Sequence, residues 1–263
     1  FMELPEPVLI TAMAKHERMF PVRGEDGKLT NRFVFVRNSG EDDTVRRGAE
    51  WVLNARFNDA RFFYELDRPL TMDDHLAKTD GILFAQGLGS VRQRADRLSA
   101  LAVEIARQTG ANEAELDYAR LAGLYAKADL ASGLVSELSS LQGIVGGAYA
   151  RREGMPGPVA WALETQYDPS KNPEPATCEG ERTALRLIMA DALDKLAGYL
   201  GQGKEPTGSS DPFALRRAVT ILIEAAWVWP GALPAFDDLF GVALDGYAAQ
   251  GIHFEPIGAR RAL

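Results

Sequence analysis

Cysteine is almost absent from this chain. Cys178 stands alone among 263 residues, so no disulfide can form within the chain, and the composition suits a reducing cytoplasm. Histidine is nearly as scarce: His16, His75 and His253 are far apart, and no two fall at metal-ligand spacing. No apolar run approaches the roughly 20 residues a membrane helix needs. The opening FMELPEPVL has no basic n-region and holds two prolines, so it does not read as a secretory signal; Phe1 ahead of Met2 suggests a segment cut from a longer protein. Basic charge is not in excess either. Lys and Arg number 29 against 37 Asp and Glu, a net charge of −8, which argues against a strongly basic sleeve for nucleic acid or DNA. No phosphate loop, Rossmann fingerprint or Gly-x-Ser-x-Gly elbow occurs; GLGS at 87–90 is too short for the first two and follows no strand.

What is present is apolar patterning. Hydrophobic residues make up 46% of the chain, enough for a sizeable core. PEPVLITAMAK, residues 5–15, reads as a short helix entered through prolines. ERMFPVR and NRFVFVRN read as two strands, with Val34 and Val36 alternating against Phe33 and Phe35 and an Asp-Gly turn signal between them. From Asp43 to Leu66 the apolar residues recur at threes and fours, the period of an amphipathic helix. Residues 1–80 are therefore predicted to form a small α+β unit with a β-hairpin. Beyond it no strand is convincing. Thr71 with Asp74 resembles a capping box. Helices are predicted over 91–108, over 113–137 as one piece, over 158–166, over 181–201 as the cleanest stripe, and from Pro212 onward with Asp211 as N-cap. The fold class is mainly α: an N-terminal α+β unit, an all-helical domain at 81–250, and a tail at 251–263.

One order of residues along the helices carries a chemical implication. RADRLSALAVEIA, LAGLYAKADL and LIMADALDKLAGY follow each other as do the helices of the HD superfamily of metal-dependent phosphohydrolases, which the helical region resembles. That template is His, then His-Asp, then a later Asp. Here its positions fall on Arg94, Ala128, Asp129 and Asp191. Both imidazoles are gone, and carboxylates alone hold a divalent ion poorly against water. The resemblance thus implies a degenerate HD-like domain without its metal. Asp129 is then read as a remnant kept for structure, bonded to a helix end or to Arg94, and Asp191 as the i,i+4 partner of Lys195.

Longer stretches narrow the resemblance. LPEPVLITAMAKHERMFPV, GKLTNRFVFVRN, GAEWVLNARFNDARFFYELD, LFAQGLGSVRQRADRLSALA, KADLASGLVSELSSLQGIVGGAYA and ADALDKLAGYLGQGKEPTGSSDPFALRRA occur in the order found in the beta subunit of the bacterial two-subunit glycyl-tRNA synthetase. They cover residues 1 to about 222, and the chain resembles that family. It departs at Gly48-Ala49-Glu50, where the family usually has Gly-Asn-Glu, and at Gln142-Gly143-Ile144-Val145-Gly146, where it usually has Gln-Gly-Val/Met-Met-Gly.

The resemblance implies part of a glycine–tRNA ligase, which joins glycine to its tRNA at the expense of ATP. The adenylation site, with ATP and Mg, is expected on the alpha subunit, so no cofactor and no catalytic or metal residue is expected in this chain. Its partners would be tRNA-Gly and the alpha subunit. Arginines fork onto phosphates, and A-form RNA is read mainly by shape and backbone. The candidate RNA contacts are Lys15, Arg18, Arg56, Arg61, Lys204, Ser209, Arg216 and Arg217; Ser209 and the free amides of the following helix would suit a phosphate, although Asp211 competes there. Two other readings stay open. One is an HD-type phosphohydrolase acting on nucleotides. The other is a purely architectural module that docks the alpha subunit, with Trp227, Trp229 and Phe236 as a docking patch or as helical core.

Overall fold

A computed structural model of the chain describes residues 1–171, 176–208 and 210–254, with Lys15 and His16 described by backbone alone. Its architecture follows from α9 (Glu179–Gly201). The helix starts where the Thr177 and Cys178 amides donate to the Glu181 carboxylate, at 2.6 and 2.9 Å. The predicted stripe of Leu185, Ile188, Met189, Leu193 and Leu196 is buried. So are Leu187, Ala190 and Ala197 between them, together with Arg186 and Asp194. The strongest amphipathic pattern in the sequence therefore belongs to a central helix with hardly any solvent face. Burying a Leu or Ile side chain contributes about 1.5–3 kcal/mol, so α9 is a large source of apolar stabilisation.

Five helices surround it: α4 (Val91–Gln108), α5 (Glu113–Tyr125), α8 (Gly157–Thr165), α10 (Leu215–Val228) and α11 (Phe236–Ala249). Capping boxes start α4 at Ser90 with Gln93 and α5 at Asn112 with Glu115. The two helices pack closely at Gly123, where an added Cβ would lie 2.6 Å from the Leu98 carbonyl oxygen.

The N-terminal unit has the predicted form. α1 (Glu6–Thr11) runs into a π turn at Ala12–His16 and then a two-stranded antiparallel hairpin, β1 (Phe20–Arg23) with β2 (Leu29–Val34). Phe20 faces Val34 and Arg23 faces Leu29, with a bulge between Pro21 and Arg23. Phe33 and Phe35 pack on the core, while Val34 and Val36 are exposed. α2 (Asp42–Asp67) is the predicted long helix, and α3 (Met72–Lys78) begins on the Thr71–Asp74 capping box. Among the described residues after α3, the only β pairing is an isolated bridge between Leu83 and Ser90.

The structure overturns two expectations about helix boundaries and decides one point left open. The segment 113–137 is not one helix. α5 ends at Tyr125, a 3₁₀ turn covers Ala128–Ala131, and α6 (Gly133–Glu137) starts from Ser132, whose hydroxyl accepts from the Val135 amide at 3.1 Å. One straight helix would have kept Asp129 beside the apolar seam. The break turns Lys127 and Asp129 inside, where they are 3% and 1% exposed. The second concerns α10, which begins at Leu215 and not at Pro212. Ala214, at φ 52°, precedes it in the left-handed region, and the Asp211 carboxylate reaches forward to the Leu215 and Arg216 amides at 2.8 and 3.0 Å. The open point concerns the late aromatics, read as a docking patch or as helical core. Trp227 is exposed, but Trp229 is buried under the Arg186 guanidinium and Phe236 packs on the core.

α7 (Ile144–Arg152) and α8 complete the helical part, and one carboxylate ties α2 to it. Asp67, buried at the end of α2, accepts from the Gly133 amide at 2.8 Å, the Leu134 amide at 3.0 Å and the Tyr149 hydroxyl at 2.9 Å. Removing the carboxylate leaves three buried donors unpaired, each costly. Asp67→Ala is expected to lower the unfolding free energy by about 3 kcal/mol, read from the urea midpoint. A loss below about 1 kcal/mol would show that Asp67 is no clamp.

Candidate functional site

The polar centre of the helical part lies between α4 and α9. Two pairs at i,i+3 build it: Arg94 and Arg97 on α4, Asp191 and Asp194 on α9. Asp194, 1% exposed, receives Arg94 Nε at 3.0 Å and Arg97 Nε at 2.7 Å. The Tyr247 hydroxyl of α11 donates to the Asp194 carbonyl at 3.1 Å, and its ring lies 3.8 Å from the Arg97 guanidinium. Arg94 extends over the Phe84 ring at 4.0 Å and reaches Asp191 at 3.0 Å. Lys127 meets the same Asp191 oxygen at 3.0 Å from the other side.

The surroundings shift these groups in opposite directions. Burial pushes the Asp191 carboxyl up, but the cations of Arg94 and Lys127 hold it below its ordinary value. Burial lowers the Lys127 ammonium, and Asp191 only partly restores it. Burial works against the Arg94 guanidinium too, yet Asp191 and Asp194 raise it overall. Lys127 also donates to Gln166 Oε1 and to the Tyr167 hydroxyl, both at 2.9 Å.

Asp129 faces another way. One carboxylate oxygen accepts from the Gly143 amide at 2.6 Å and the Gly146 amide at 3.2 Å, at the start of α7; the other, buried, has no hydrogen-bond partner. Burial raises its carboxyl from an ordinary 3.8 to about 6, against the downward pull of the two amides. Gly143 has φ 82°, and a Cβ there would lie 2.9 Å from the Leu163 carbonyl oxygen. The two glycines that survive in Gln142-Gly143-Ile144-Val145-Gly146 are thus the ones whose amides hold Asp129. Asp129 is bonded to a helix end, one of the two roles expected for it, and not to Arg94.

The four HD positions do not fit a divalent metal. Arg94 and Lys127 place two cations on Asp191, Ala128 has no side-chain donor atom, and Asp129 is turned to the amides at the start of α7 through one of its oxygens. Among the described residues no group of three or more His, Cys, Asp or Glu side chains could hold a metal ion. The expected Asp191–Lys195 ion pair is absent among the described residues: Asp191 is engaged by Arg94 and Lys127, while Lys195 Nζ points to the Ala214 carbonyl at 3.5 Å. Sequence reading passed over Lys127, Arg97 and Asp194. For Arg97 and Asp194 the signal was the matched i,i+3 spacing of two arginines and two aspartates on otherwise apolar helix faces; Lys127 had no such signal.

Above this centre opens a cavity of about 790 Å³, walled by Arg94, Lys127, Asp191, Lys195, Phe213 and Arg217 among others. The predicted RNA contacts fall into two groups. Lys204 sits over the Tyr199 and Phe213 rings at 5.5 and 5.0 Å, Arg216 donates to the Thr207 carbonyl, and exposed Arg217 lines the cavity. The helix amides expected to receive a phosphate near them are taken by Asp211. Far along the sequence, Arg56 pairs with Glu17 at 3.4 Å, and Arg61 bonds Asn58 at 2.9 Å with its guanidinium 5.1 Å from the Phe1 ring. Arg18 is exposed, with φ 53°. Ser209 and the Lys15 side chain lie outside the described residues.

Fold and site together define a mainly α chain with a small α+β unit and a polar centre held by ion pairs. The family described as glycyl-tRNA synthetase beta subunit matches residues 1–251. The glycine–tRNA ligase beta subunit of Desulforudis audaxviator is 39% identical over 259 residues, covering 95% of this chain and 36% of that protein. The one from Nitratidesulfovibrio vulgaris is 45% identical over 221 residues, 82% of this chain and 31% of that protein. That of Histophilus somni is 39% identical over 220 residues, 83% and 31%. The chain belongs to the glycyl-tRNA synthetase beta subunit family, and it spans about a third of the length of these curated relatives. No helix of the described residues is long and apolar enough to cross a membrane.

Asp129 supplies a pH test. Its folded carboxyl holds a proton more tightly than the unfolded one, so its contribution to stability is full below an ordinary 3.8 and is lost as the pH rises through about 6. Asp129→Asn keeps an oxygen for the two amides and does not ionise. The variant should therefore gain on the parent by about 3 kcal/mol between acid and neutral pH, measured by urea unfolding at each pH. A constant difference across that range would show that Asp129 does not titrate there.

Proposed function

We propose that the chain is the tRNA-positioning and architectural part of a glycine–tRNA ligase beta subunit in the cytoplasm. The observation that carries this reading is the family match over residues 1–251. The reaction joins glycine to tRNA-Gly with ATP cleaved to AMP and diphosphate. Its adenylation step, with ATP and Mg, belongs in this reading to the alpha subunit.

The geometry supports a role without chemistry. A metal-dependent phosphohydrolase needs a divalent ion with open positions for water and substrate. Arg94 and Lys127 put fixed positive charge on Asp191 in its place. We therefore read the centre as a degenerate HD site whose ion pairs hold the helices in register, so that their outer surface presents a fixed shape. The cations on that surface cluster where the 204–217 segment crosses α9 and α10: Lys204, Arg216 and Arg217. Phosphate contacts of this kind position an RNA stem and read no sequence.

Fluorescence anisotropy of labelled tRNA-Gly tests the assignment. Saturable binding is expected, weakening with salt and falling about tenfold in the Arg216→Ala, Arg217→Ala double variant, since each lost phosphate contact weakens binding and flattens the salt slope. Binding that ignores the double variant would move the RNA surface to the α2 group, Arg56 and Arg61. No binding at low salt would leave docking of the alpha subunit as the role of this part.

A further inference from the structure

The cavity over the ion-paired centre is charged out of balance. Among the described residues four cations line it, Arg94, Lys127, Lys195 and Arg217, against one carboxylate, Asp191, and of the four only Arg94 has a further carboxylate, Asp194, in an ion pair behind it. Asp191 is spent on Arg94 and Lys127. The other carboxylate acting on Lys195, Asp211, has both oxygens on the amides that open α10. Among the described residues the Arg217 side chain makes no ion pair or hydrogen bond, and the Lys195 ammonium makes only the long contact to the Ala214 carbonyl. The lining also includes Ser140, whose solvent-shielded hydroxyl has no partner, and the amide side chains of Gln142 and Gln166. Burial and the neighbouring Arg94 lower the Lys195 ammonium, the response of a cation crowded by like charge.

We propose that this cavity is a metal-independent binding site for a phosphate monoester. A doubly charged tetrahedral anion supplies what the lining lacks: charge to balance Lys195 and Arg217, and acceptor oxygens for a guanidinium fork, an ammonium and a hydroxyl at once. The volume of about 790 Å³ far exceeds a phosphate ion, and Phe84, Tyr167, Tyr199 and Phe213 give its walls aromatic surface for the organic part of the ester. No bond to the phosphorus is made or broken, since the groups present donate hydrogen bonds and none generates a nucleophile. Two sources carry the same chemistry: a free mononucleotide, or the 5′-phosphorylated end of an RNA. The proposal does not depend on tRNA binding by the chain.

Isothermal titration in the presence of EDTA tests it with three probes: inorganic phosphate, AMP, and an RNA hexamer with or without a 5′-phosphate. Saturable binding of AMP or of the phosphorylated hexamer is expected, with none to the 5′-hydroxyl hexamer. Whichever of the two binds more tightly identifies the source. The Lys195→Ala, Arg217→Ala double variant should weaken binding at least tenfold. Arg107→Ala, which removes an exposed cation paired with Glu104 on α4, should leave it unchanged. The helical far-ultraviolet signal and thermal midpoint of each variant confirm that it is folded. Absence of saturable binding by all three probes, an affinity that Lys195→Ala, Arg217→Ala does not change, or binding that appears only with a divalent metal would each overturn the proposal.

Discussion

The helical part depends on one buried carboxylate. The Asp194 carboxylate takes Arg94 and Arg97 from α4 and its carbonyl takes the Tyr247 hydroxyl from α11, so a single residue of the central helix fixes two neighbours. Its charge is affordable in the core only because two guanidinium groups saturate it, and removing either partner of such a group typically costs 3–5 kcal/mol. The geometry of the cluster is therefore a condition of the fold. Arg94 cannot leave to serve solvent, and Asp191, one turn earlier on α9, inherits a cation at a set distance.

From that constraint the neighbouring residues follow. With Arg94 pinned beside Asp191, the space between α4 and α9 already holds positive charge, and Lys127 adds more from the opposite side. A carboxylate with two cations at 3.0 Å is poorly available to a metal. Asp129, two residues from Lys127, points to the amides of Gly143 and Gly146 instead and closes the start of α7. One break in the chain between α5 and α6 thus feeds two centres: Lys127 goes to the ion pairs and Asp129 to a helix end.

Much of this was legible in the sequence, and the failures have physical causes. The hairpin, the long α2 and the Thr71–Asp74 capping box are local, written in turn residues and in side chains three positions apart; the long helix and the box stand where the patterns put them, and the hairpin forms with its second strand ending at Val34. The seam through 113–137 misled because its 3-4-3-4 spacing is satisfied equally by a helix and by two helical pieces with a turn between them. What decides is burial of Lys127 and Asp129, a tertiary demand. Asp211 was read as the N-cap residue, but that position is Ala214; the Asp211 carboxylate reaches amides four and five residues on, across a left-handed Ala214 that no local pattern announces. Arg94 and Asp191 were picked out by the HD resemblance; Arg97, Asp194 and Lys127 were not, because nothing in that template has a place for them.

The position of α9 along the chain has a consequence for the order of assembly. Its residues, 179–201, come after most of the helices they organise. During synthesis α4 and α5 can pair through Gly123 as soon as both have emerged, but their inner faces stay wet until α9 appears some 55 residues later, and Asp194 stays open on one side until Tyr247 follows. Synthesis at about 5–20 residues per second is slow compared with helix formation. The nascent chain therefore carries a half-built, apolar-faced pair of helices until α9 has emerged, and the last turns of α11 are what seal it.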